Sequence, residues 1–484
     1  MSNILLVDPD YSSRFPPLGL LKIATFHKAK GDSVTYTRGK DPDLKGLFWH
    51  RVYIASLFTY ELPKTVDTIK FYLPAVADSS DILVGGIAAT LMPEYIKSQI
   101  DCTVITGPLD RPNILGGDSK PVDSLTPDYK IIDNPRFDYR PRDAYFCKLT
   151  RGCIRKCPFC AVPKLEPTFS DCKPLAAQVK QAAAVNGERR DIVFMDNNVL
   201  AAESFSNSLN VLCELGFQKG ARQNRRERIV DFNQGIDARL IDRKMAKQLS
   251  KICLSPVRLA LDYDGMIEPY QKAIYHMYDA GFDEFTNYVM FNYNDDPASF
   301  YRRLKLNIQL SNDLEIRVSG FPMRYAPVDD VSRKFIAPNW HWKLLRGIQC
   351  VLLVTKGLVS PNAEFFYRAF GHSLEEFLEI MSMPERFIIH REHFEEIGET
   401  FEWKAKYDKL TSSGRTNLLS TLHELNQTRD KKSLIQASGP LKPILWHYYP
   451  GGNVPKYEDY KPPKKSRNHS KTTSKTRTVQ SRTR

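Results

Sequence analysis

Cys153, Cys157 and Cys160 stand in the segment LTRGCIRKCPFCAVPKLEP, in C-x3-C-x2-C spacing. Three thiols within eight residues converge only where the chain wraps around something. A structural zinc site has four closed ligands, and no fourth cysteine or histidine follows nearby in paired spacing. Cys147, six residues upstream, falls inside an expected strand and reads as a core residue. Three thiolates on a [4Fe-4S] cube leave one iron open to a ligand from outside the protein. Arg151, Arg155 and Lys156 lie among the cysteines, and positive charge there favours thiolate over thiol. The spacing serves an iron–sulfur cluster better than it serves a zinc loop.

The elements around the cysteines must position them. AYFCKLT, directly upstream, reads as a strand. DIVFMDN, RIVDFNQGI, PVRLALDY, EFTNYVMFNY and LEIRVSGFPM follow, with helical spacing between them. Six such units predict a partial (β/α)6 barrel over 143–338, with its working end at the carboxyl ends of the strands. Upstream, NILLVDPD, SVTYT, RVYIASLF, DILVGG and CTVITG alternate with helical stretches, ATLMPEYIKSQI among them. That alternation predicts a doubly wound parallel sheet over 1–117. Ligands on such sheets bind beyond the strand carboxyl ends, which puts Asp8, Asp10, Ser56, Gly85 and Gly86 on one rim. The glycine pair there lets a backbone or ligand approach closely. Pro, Asp and Gly in 118–142 read as a linker. Helical spacing dominates 339–455. The fold class is α/β: a doubly wound parallel sheet, then a partial barrel, then a helical C-terminal region.

The chain has 484 residues, 42% hydrophobic and 26% charged. At roughly 100–200 residues per domain it has room for several cores, and it is neither fibrous nor wholly disordered. No apolar run approaches the ~18–20 residues of a membrane span. Met1-Ser2-Asn3 before Ile4 to Val7 lacks the basic start and the length of a signal peptide. Nine cysteines over so long a chain argue against a disulfide scaffold. The expected setting is the reducing cytoplasm. The net charge of +13 gathers at the end, where Lys461–Arg484 holds nine Lys/Arg and no acid. Segment 456–484 is expected to be a disordered basic tail, able to contact nucleic-acid phosphates. Lys219, Arg222, Arg225, Arg226 and Arg228 form a second basic group, between the second and third barrel strands. It reads as a solvated face or as part of a phosphate-binding rim. His341, His390 and His393 fall in helices, with no third ligand to make a metal site of the i, i+3 pair.

The cysteine spacing on the loop after the first barrel strand resembles the radical SAM superfamily, over roughly 143–328. The resemblance implies a [4Fe-4S] cluster on Cys153, Cys157 and Cys160, with S-adenosylmethionine (SAM) on the open iron. It also implies an external one-electron reductant of flavodoxin or ferredoxin type, and a 5′-deoxyadenosyl radical as the reactive species. Phe159 matches the aromatic position near the adenine. Asp196-Asn197-Asn198 stands where the family places acceptors for the methionyl amine, without the family's Gly-Gly-Glu form. Asp196 and Asn197 are therefore carried over on position and chemistry. Gln234 and Asp237 after the third strand are further candidates to touch SAM or substrate. So are Arg258 and Asp262 around the fourth, where the family holds the ribose hydroxyls and the carboxylate. Asn292 and Tyr293 end the fifth strand, and Arg324 follows the sixth.

The stretch from FPPLGLLKIATFHKAKGDSVTY to DILVGGIAATLMPE resembles the cobalamin-binding-type domain found before the barrel in many members of that superfamily. Gly85-Gly86 is its glycine pair, and Ser56 with Phe58 matches its Ser-x-Leu imperfectly. The Asp-x-His-x-x-Gly segment is missing, so no histidine is on offer beneath a cobalt. The implied activity is reductive cleavage of SAM for radical modification of an unidentified small-molecule or nucleic-acid substrate, with cobalamin-assisted methylation as one form. One alternative is a tRNA or RNA modification enzyme without cobalamin. CPFCAVPKLEP is a little like the cluster loop of methylthiotransferases, but only Cys102 precedes residue 147, which denies a second cluster. The other alternative is a non-catalytic Fe–S-binding protein. No membrane partner is expected.

Overall fold

The computed structural model describes residues 1–117 and 119–449; the basic tail lies outside them. Five parallel strands open the chain: β1 (Asn3–Asp8), β2 (Ser33–Arg38), β3 (Arg51–Ser56), β4 (Ile82–Gly86) and β5 (Thr103–Ile105), in the order β2-β1-β3-β4-β5. The period of two along each strand explains why both faces are covered. Leu5, Val7, Val52, Ile54, Ile82 and Val84 pack on one side with Leu62, Ile69 and Tyr72 of the helix Leu62–Tyr72. Ile4, Leu6, Tyr53 and Leu83 pack on the other with Leu20, Ile23, Ala24 and Phe26 of the helix Leu18–Ala29. Each such buried aliphatic side chain contributes roughly 1.5–3 kcal/mol against exposure. The strand order reverses between β1 and β3, and the carboxyl ends there form the crevice where ligands bind. The helix expected after β4 is two short ones, Ile87–Leu91 and Pro93–Lys97, because Pro93 has no N–H to continue the first.

Residues 119–142, whose composition suggests a linker, are packed against the sheet. Val122, Phe137 and Tyr139 join the core on the Leu18–Ala29 side. Tyr139 donates its hydroxyl to the buried Asp8. The aromatic residues of this segment outweigh its Pro, Asp and Gly, and it runs as a strap from the sheet to the barrel.

The barrel strands are β6 (Ala144–Cys147), β9 (Asp191–Phe194), β12 (Val230–Phe232), β13 (Val257–Ala260), β14 (Glu284–Phe291) and β15 (Arg317–Arg324). Between them lie two short antiparallel pairs: β7 (Thr150–Arg151) with β8 (Ser170–Asp171), and β10 (Arg222–Gln223) with β11 (Arg226–Glu227). Two parallel sheets, β12-β9-β6 and β13-β14-β15, are joined by a parallel bridge from Val230 to Leu254. Among the described residues β6 and β15 are not paired, so the barrel is partial. Alternation again sorts the side chains. Ile192, Phe194, Val230, Phe232, Val257 and Leu259 belong to the core shared with the surrounding helices. Val193, Asp231 and Arg258, one position out of phase, line a cavity on the lumen side.

Helices predominate after β15, starting with Trp342–Val354 and Ala363–Phe370. The chain divides into two compact units, Met1–Ile380 and the part from Met381 onward. The second is helical among its described residues. Its centre is the fully buried Trp403, whose indole N–H donates to the Tyr448 hydroxyl at 3.1 Å, with Leu418, Leu422 and Leu425 on the helix Ser412–Gln427. No helix among the described residues is long and apolar enough to cross a membrane.

Candidate functional site

The cysteine loop begins three residues after β6 and is closed at its base by the β7–β8 pair, Thr150 against Asp171 and Arg151 against Ser170. Gly152 turns the chain at φ +69°, and a Cβ there would stand 2.5 Å from the Thr168 carbonyl oxygen. Only glycine fits this close approach. Glu166 ties the far side of the loop back. Its carboxylate accepts from the Gly152 amide at 2.9 Å, Asn197 Nδ2 at 2.8 Å, Lys148 Nζ at 3.2 Å and Arg151 at 3.4 Å. Burial opposes ionisation of this carboxyl, but Lys148 and the Gly152 amide hold it below its ordinary range.

The three thiols are free and half-buried. Cys153 Sγ accepts from the Arg155 amide at 3.3 Å and from Asn198 Nδ2 at 3.7 Å; Cys160 Sγ accepts from the Val162 amide at 3.5 Å. Burial pushes the Cys157 and Cys160 thiols up, and the neighbouring cysteines and Asp262 push the same way. The loop's own cations do not reverse this, contrary to expectation. Arg151 pairs with Asp123 and Glu166, and Arg155 turns its Nε to Asp237 at 3.2 Å. Arg239 is the cation that favours the Cys157 thiolate.

Behind Cys153 stands a polar network. Asp237 accepts from Arg239 Nε at 2.7 Å and Nη2 at 3.0 Å, from Arg155 Nε, and from Asn198 Nδ2 at 3.2 Å. The carboxylate fixes the orientation of the Asn198 amide. Asn198 is 4% exposed, and its Oδ1 is buried without a hydrogen-bond partner among the described residues. An orphaned acceptor of this kind costs roughly 1–3 kcal/mol unless something fills it.

The other expected residues divide into those at the site and those used elsewhere. Phe159 meets Tyr293 edge to face at 5.5 Å, Tyr293 meets Tyr325 at 4.7 Å, and Tyr325 meets Phe335 at 5.8 Å. Asp262 is close enough to raise both Cys157 and Cys160, and burial lifts its own pKa to about 6. The carbonyl of Asp262 is held by the fully buried Arg303, which also bonds the Leu261 and Met290 carbonyls. Asp196 is not a free acceptor. Its carboxylate takes the Leu149 and Thr150 amides and the Thr150 hydroxyl at 2.6–3.1 Å, so it pins the end of β6 to the end of β9. Asn197 is spent on Glu166. Gln234 is exposed in the turn after β12. Arg258 is displaced from the mouth: β-alternation turns it into the lumen, where it forks onto Asp231 with two bonds of 2.9 Å. Asn292, fully buried at φ +68°, clamps the following loop through the Tyr325 and Phe335 carbonyls and the Ala337 amide. Arg324 bonds the Phe335 carbonyl.

On the N-terminal rim, Asp8, Ser56, Gly85 and Gly86 line a largely apolar cavity of about 360 Å³, to which the barrel contributes Met195. The Ser56 hydroxyl is engaged, donating to the Gly85 carbonyl at 3.1 Å and accepting the Ala89 amide at 2.8 Å. Gly86 at φ +115° would drive a Cβ to 2.3 Å from the Ser56 carbonyl, whereas a Cβ on Gly85 would meet only ordinary contacts. Leu18, Gly19, Lys22, Asp123 and Met195 also line a second cavity, of about 470 Å³, which reaches Cys147, Lys148, Arg151 and Cys172. The helix after Gly86 packs on the short helix Val162–Leu165 of the cysteine loop. Arg333, beyond β15, lies over the Tyr60 ring at 4.3 Å. The rim and the barrel mouth therefore face each other.

No family model and no curated protein matches this chain. Among solved structures it is similar to the radical S-adenosylmethionine methyltransferase TsrM from Kitasatospora setae, with cobalamin and [4Fe-4S] cluster bound. The identity is 14%, over 72% of this chain and 79% of that one, with a TM-score of 0.49. It is also similar to the cobalamin-dependent S-adenosylmethionine radical enzyme OxsB with aqua-cobalamin and S-adenosylmethionine bound, at 11% identity, 92% and 75% coverage and a TM-score of 0.46. Apo OxsB gives 12%, 92%, 76% and 0.40. At these values the likeness assigns neither activity nor ligand.

The chemistry of the donor set has to be judged on the residues themselves. No three Cys, His, Asp or Glu side chains among the described residues stand in coordinating geometry. The three thiols are nonetheless neighbours on one pinned loop, surrounded by N–H donors and by an unpaired amide oxygen. Soft thiolates with N–H donors to sulfur suit an iron–sulfur cluster, and the unpaired oxygen suits an ammonium. Glu166, Arg239 and Arg303 escaped the reading of the sequence. Glu166 lies in the quoted motif, six residues past the last cysteine. Arg303 carries no signal beyond an arginine on the apolar side of a helix.

Proposed function

We propose that this chain is a radical SAM enzyme, with a [4Fe-4S] cluster held by Cys153, Cys157 and Cys160. The observation that carries the reading is the three-thiol loop, closed by β7–β8 and Glu166 at the carboxyl end of the first barrel strand. When bound, the cluster supplies the electron that cleaves the sulfonium of SAM. The residues of the chain bind and orient. Asn198 Oδ1 accepts the methionyl ammonium, held in that orientation by Asp237. Phe159 and Tyr293 offer an aromatic pair to the adenine. Asp262, steadied from beneath by Arg303, accepts a ribose hydroxyl. The rim cavity, which shares five lining residues with the second cavity, would hold a cobalamin-type cofactor, with the Gly85 backbone and no histidine among the residues lining it. His27 is not available for it, being tied to Asp32 at 2.8 Å and to Tyr53 at 3.0 Å.

Anaerobic reconstitution tests this. The chain should take up about four irons with visible charge-transfer absorption, and Cys153→Ala, Cys157→Ala or Cys160→Ala should each abolish it. With a one-electron reductant, 5′-deoxyadenosine alone means hydrogen abstraction, and S-adenosylhomocysteine beside it means methyl transfer. Tetrahedral zinc without visible absorption overturns the assignment.

A further inference from the structure

A chamber of about 910 Å³ runs from the amino ends of the barrel strands into the lumen, with Asn233, just past the carboxyl end of β12, also in its wall. Five guanidiniums from four elements line it: Arg140 and Arg142 of the strap, Arg190 ahead of β9, Arg226 of β11 and Arg258 of β13. Two are spent, Arg258 on Asp231 and Arg190 on Asp191 at 2.9 and 2.6 Å. Asp143 also lines the wall, and Arg142 donates to the Phe137 carbonyl at 2.8 Å. Asp138 faces Arg14, Arg140 and Arg142 at 2.9, 3.2 and 3.9 Å, three cations to one carboxylate. Those three arginine side chains are 57, 68 and 53% exposed. Arg226 is exposed, and its side chain makes no hydrogen bond or ion pair among the described residues. Its hairpin turns on Asn224 and Arg225, at φ 49° and 64°, so an arginine occupies a tip position that glycine usually takes. Arg228, from the same basic group, is different: it is buried, stacks over Phe217 at 4.0 Å and bonds the Arg189 and Arg190 carbonyls. Phe15 lies half-buried in the chamber wall, edge to face with Phe146 at 5.2 Å.

We propose that this chamber and its arginine rim bind the sugar–phosphate backbone of a single-stranded nucleic acid. Guanidinium forks match phosphate oxygens. The exposed cations Arg140, Arg142 and Arg226 are spread around an open chamber, which suits a succession of phosphates better than one small anion. Phe15 supplies an aromatic face among them for a base to stack on. The proposal rests on these side chains and does not depend on the radical reading.

The test is fluorescence anisotropy of the full chain with a fluorescein-labelled 20-nucleotide RNA and a DNA of the same sequence, across a potassium chloride series. The variant Arg140→Gln/Arg142→Gln/Arg226→Gln should bind more than tenfold more weakly at low salt. Its log–log salt slope should fall by about 2, at roughly 0.7 per lost phosphate contact on single strands. Arg→Lys at the same three positions should keep most of the slope. Arg226→Glu alone, on an exposed side chain with no partner to lose, should weaken binding in the same direction without altering the melting temperature. An unchanged slope in both the triple Gln and the Arg226→Glu variants would overturn the proposal and place the binding elsewhere, in Lys461–Arg484 for example. Displacement of the oligonucleotide by one equivalent of pyrophosphate would also overturn it, in favour of a small-anion pocket.

Discussion

Asn198 and Asp196 stand two positions apart at the end of β9, and their hydrogen bonds give them opposite tasks. Asp196 spends both carboxylate oxygens on the Leu149 and Thr150 amides just past β6, while Asn198 keeps a buried oxygen unpaired beside Cys153. Asn198→Ala should therefore weaken SAM binding by about tenfold to a hundredfold, the worth of a hydrogen bond to a charged group, and leave iron content unchanged. Calorimetric titration of the reconstituted protein measures the first and iron analysis the second. Unchanged affinity would remove Asn198 from the SAM site. The segment Asp-Asn-Asn was legible in the sequence as a polar group at the end of the second barrel strand. Which of its members would keep an unpaired acceptor was not. The alternation rule stops where the strand stops, and Asn198 begins a 3-10 turn at φ −155°, ψ 76°. Arg258 shows the converse. It lies inside β13, where alternation holds, and its neighbours Val257 and Leu259 in the core already imply that it faces the lumen and Asp231.

At the scale of elements, the first sheet was legible because β1, β3 and β4 bury both faces and read as near-continuous apolar runs. The barrel strands were found by the same signal, although β12 and β13 are only three and four residues long. The closure of the cysteine loop was not legible. β7 and β8 are two-residue strands with no pattern of their own, and the carboxylate that binds the loop acts through four partners from two segments. Glu166→Ala leaves the Gly152 amide and Asn197 Nδ2 without their acceptor, at roughly 1–3 kcal/mol for each buried group. The loss falls on the loop and not on the core. Iron should leave the variant's cluster faster than wild type under a colorimetric chelator, with little change in melting temperature. Glu166→Gln should be intermediate, since its amide oxygen still accepts from Gly152. Equal chelation rates in all three proteins would show that β7–β8 pairing alone holds the loop.

For the molecule as a whole, what counts is that two carboxyl-end rims, one on the sheet and one on the barrel, close on a shared cavity. Two adjacent glycines on the sheet side separate structure from ligand space. Gly86 is demanded by the fold, because its backbone conformation is essentially glycine-only, at about 1–3 kcal/mol for any other residue, and a Cβ would strike the Ser56 carbonyl. Among the described residues nothing demands Gly85; the nearest neighbours to a Cβ there are Ile105 atoms at 3.7 and 3.8 Å. Its lack of a side chain keeps the cavity open where β3 and β4 end. Gly86→Ala should thus lower the melting temperature and impair every function together. Gly85→Leu should leave the melting temperature, iron content and SAM affinity near wild type, while filling part of the 360 Å³ cavity. If that cavity holds a corrin, wild type incubated anaerobically with hydroxocobalamin should carry its visible spectrum through gel filtration, and Gly85→Leu should not. Equal retention by the two proteins would take the corrin away from this rim. No retention by wild type would leave the cavity to a substrate held between the sheet and the cysteine loop, and Gly85→Leu would then act on substrate affinity alone.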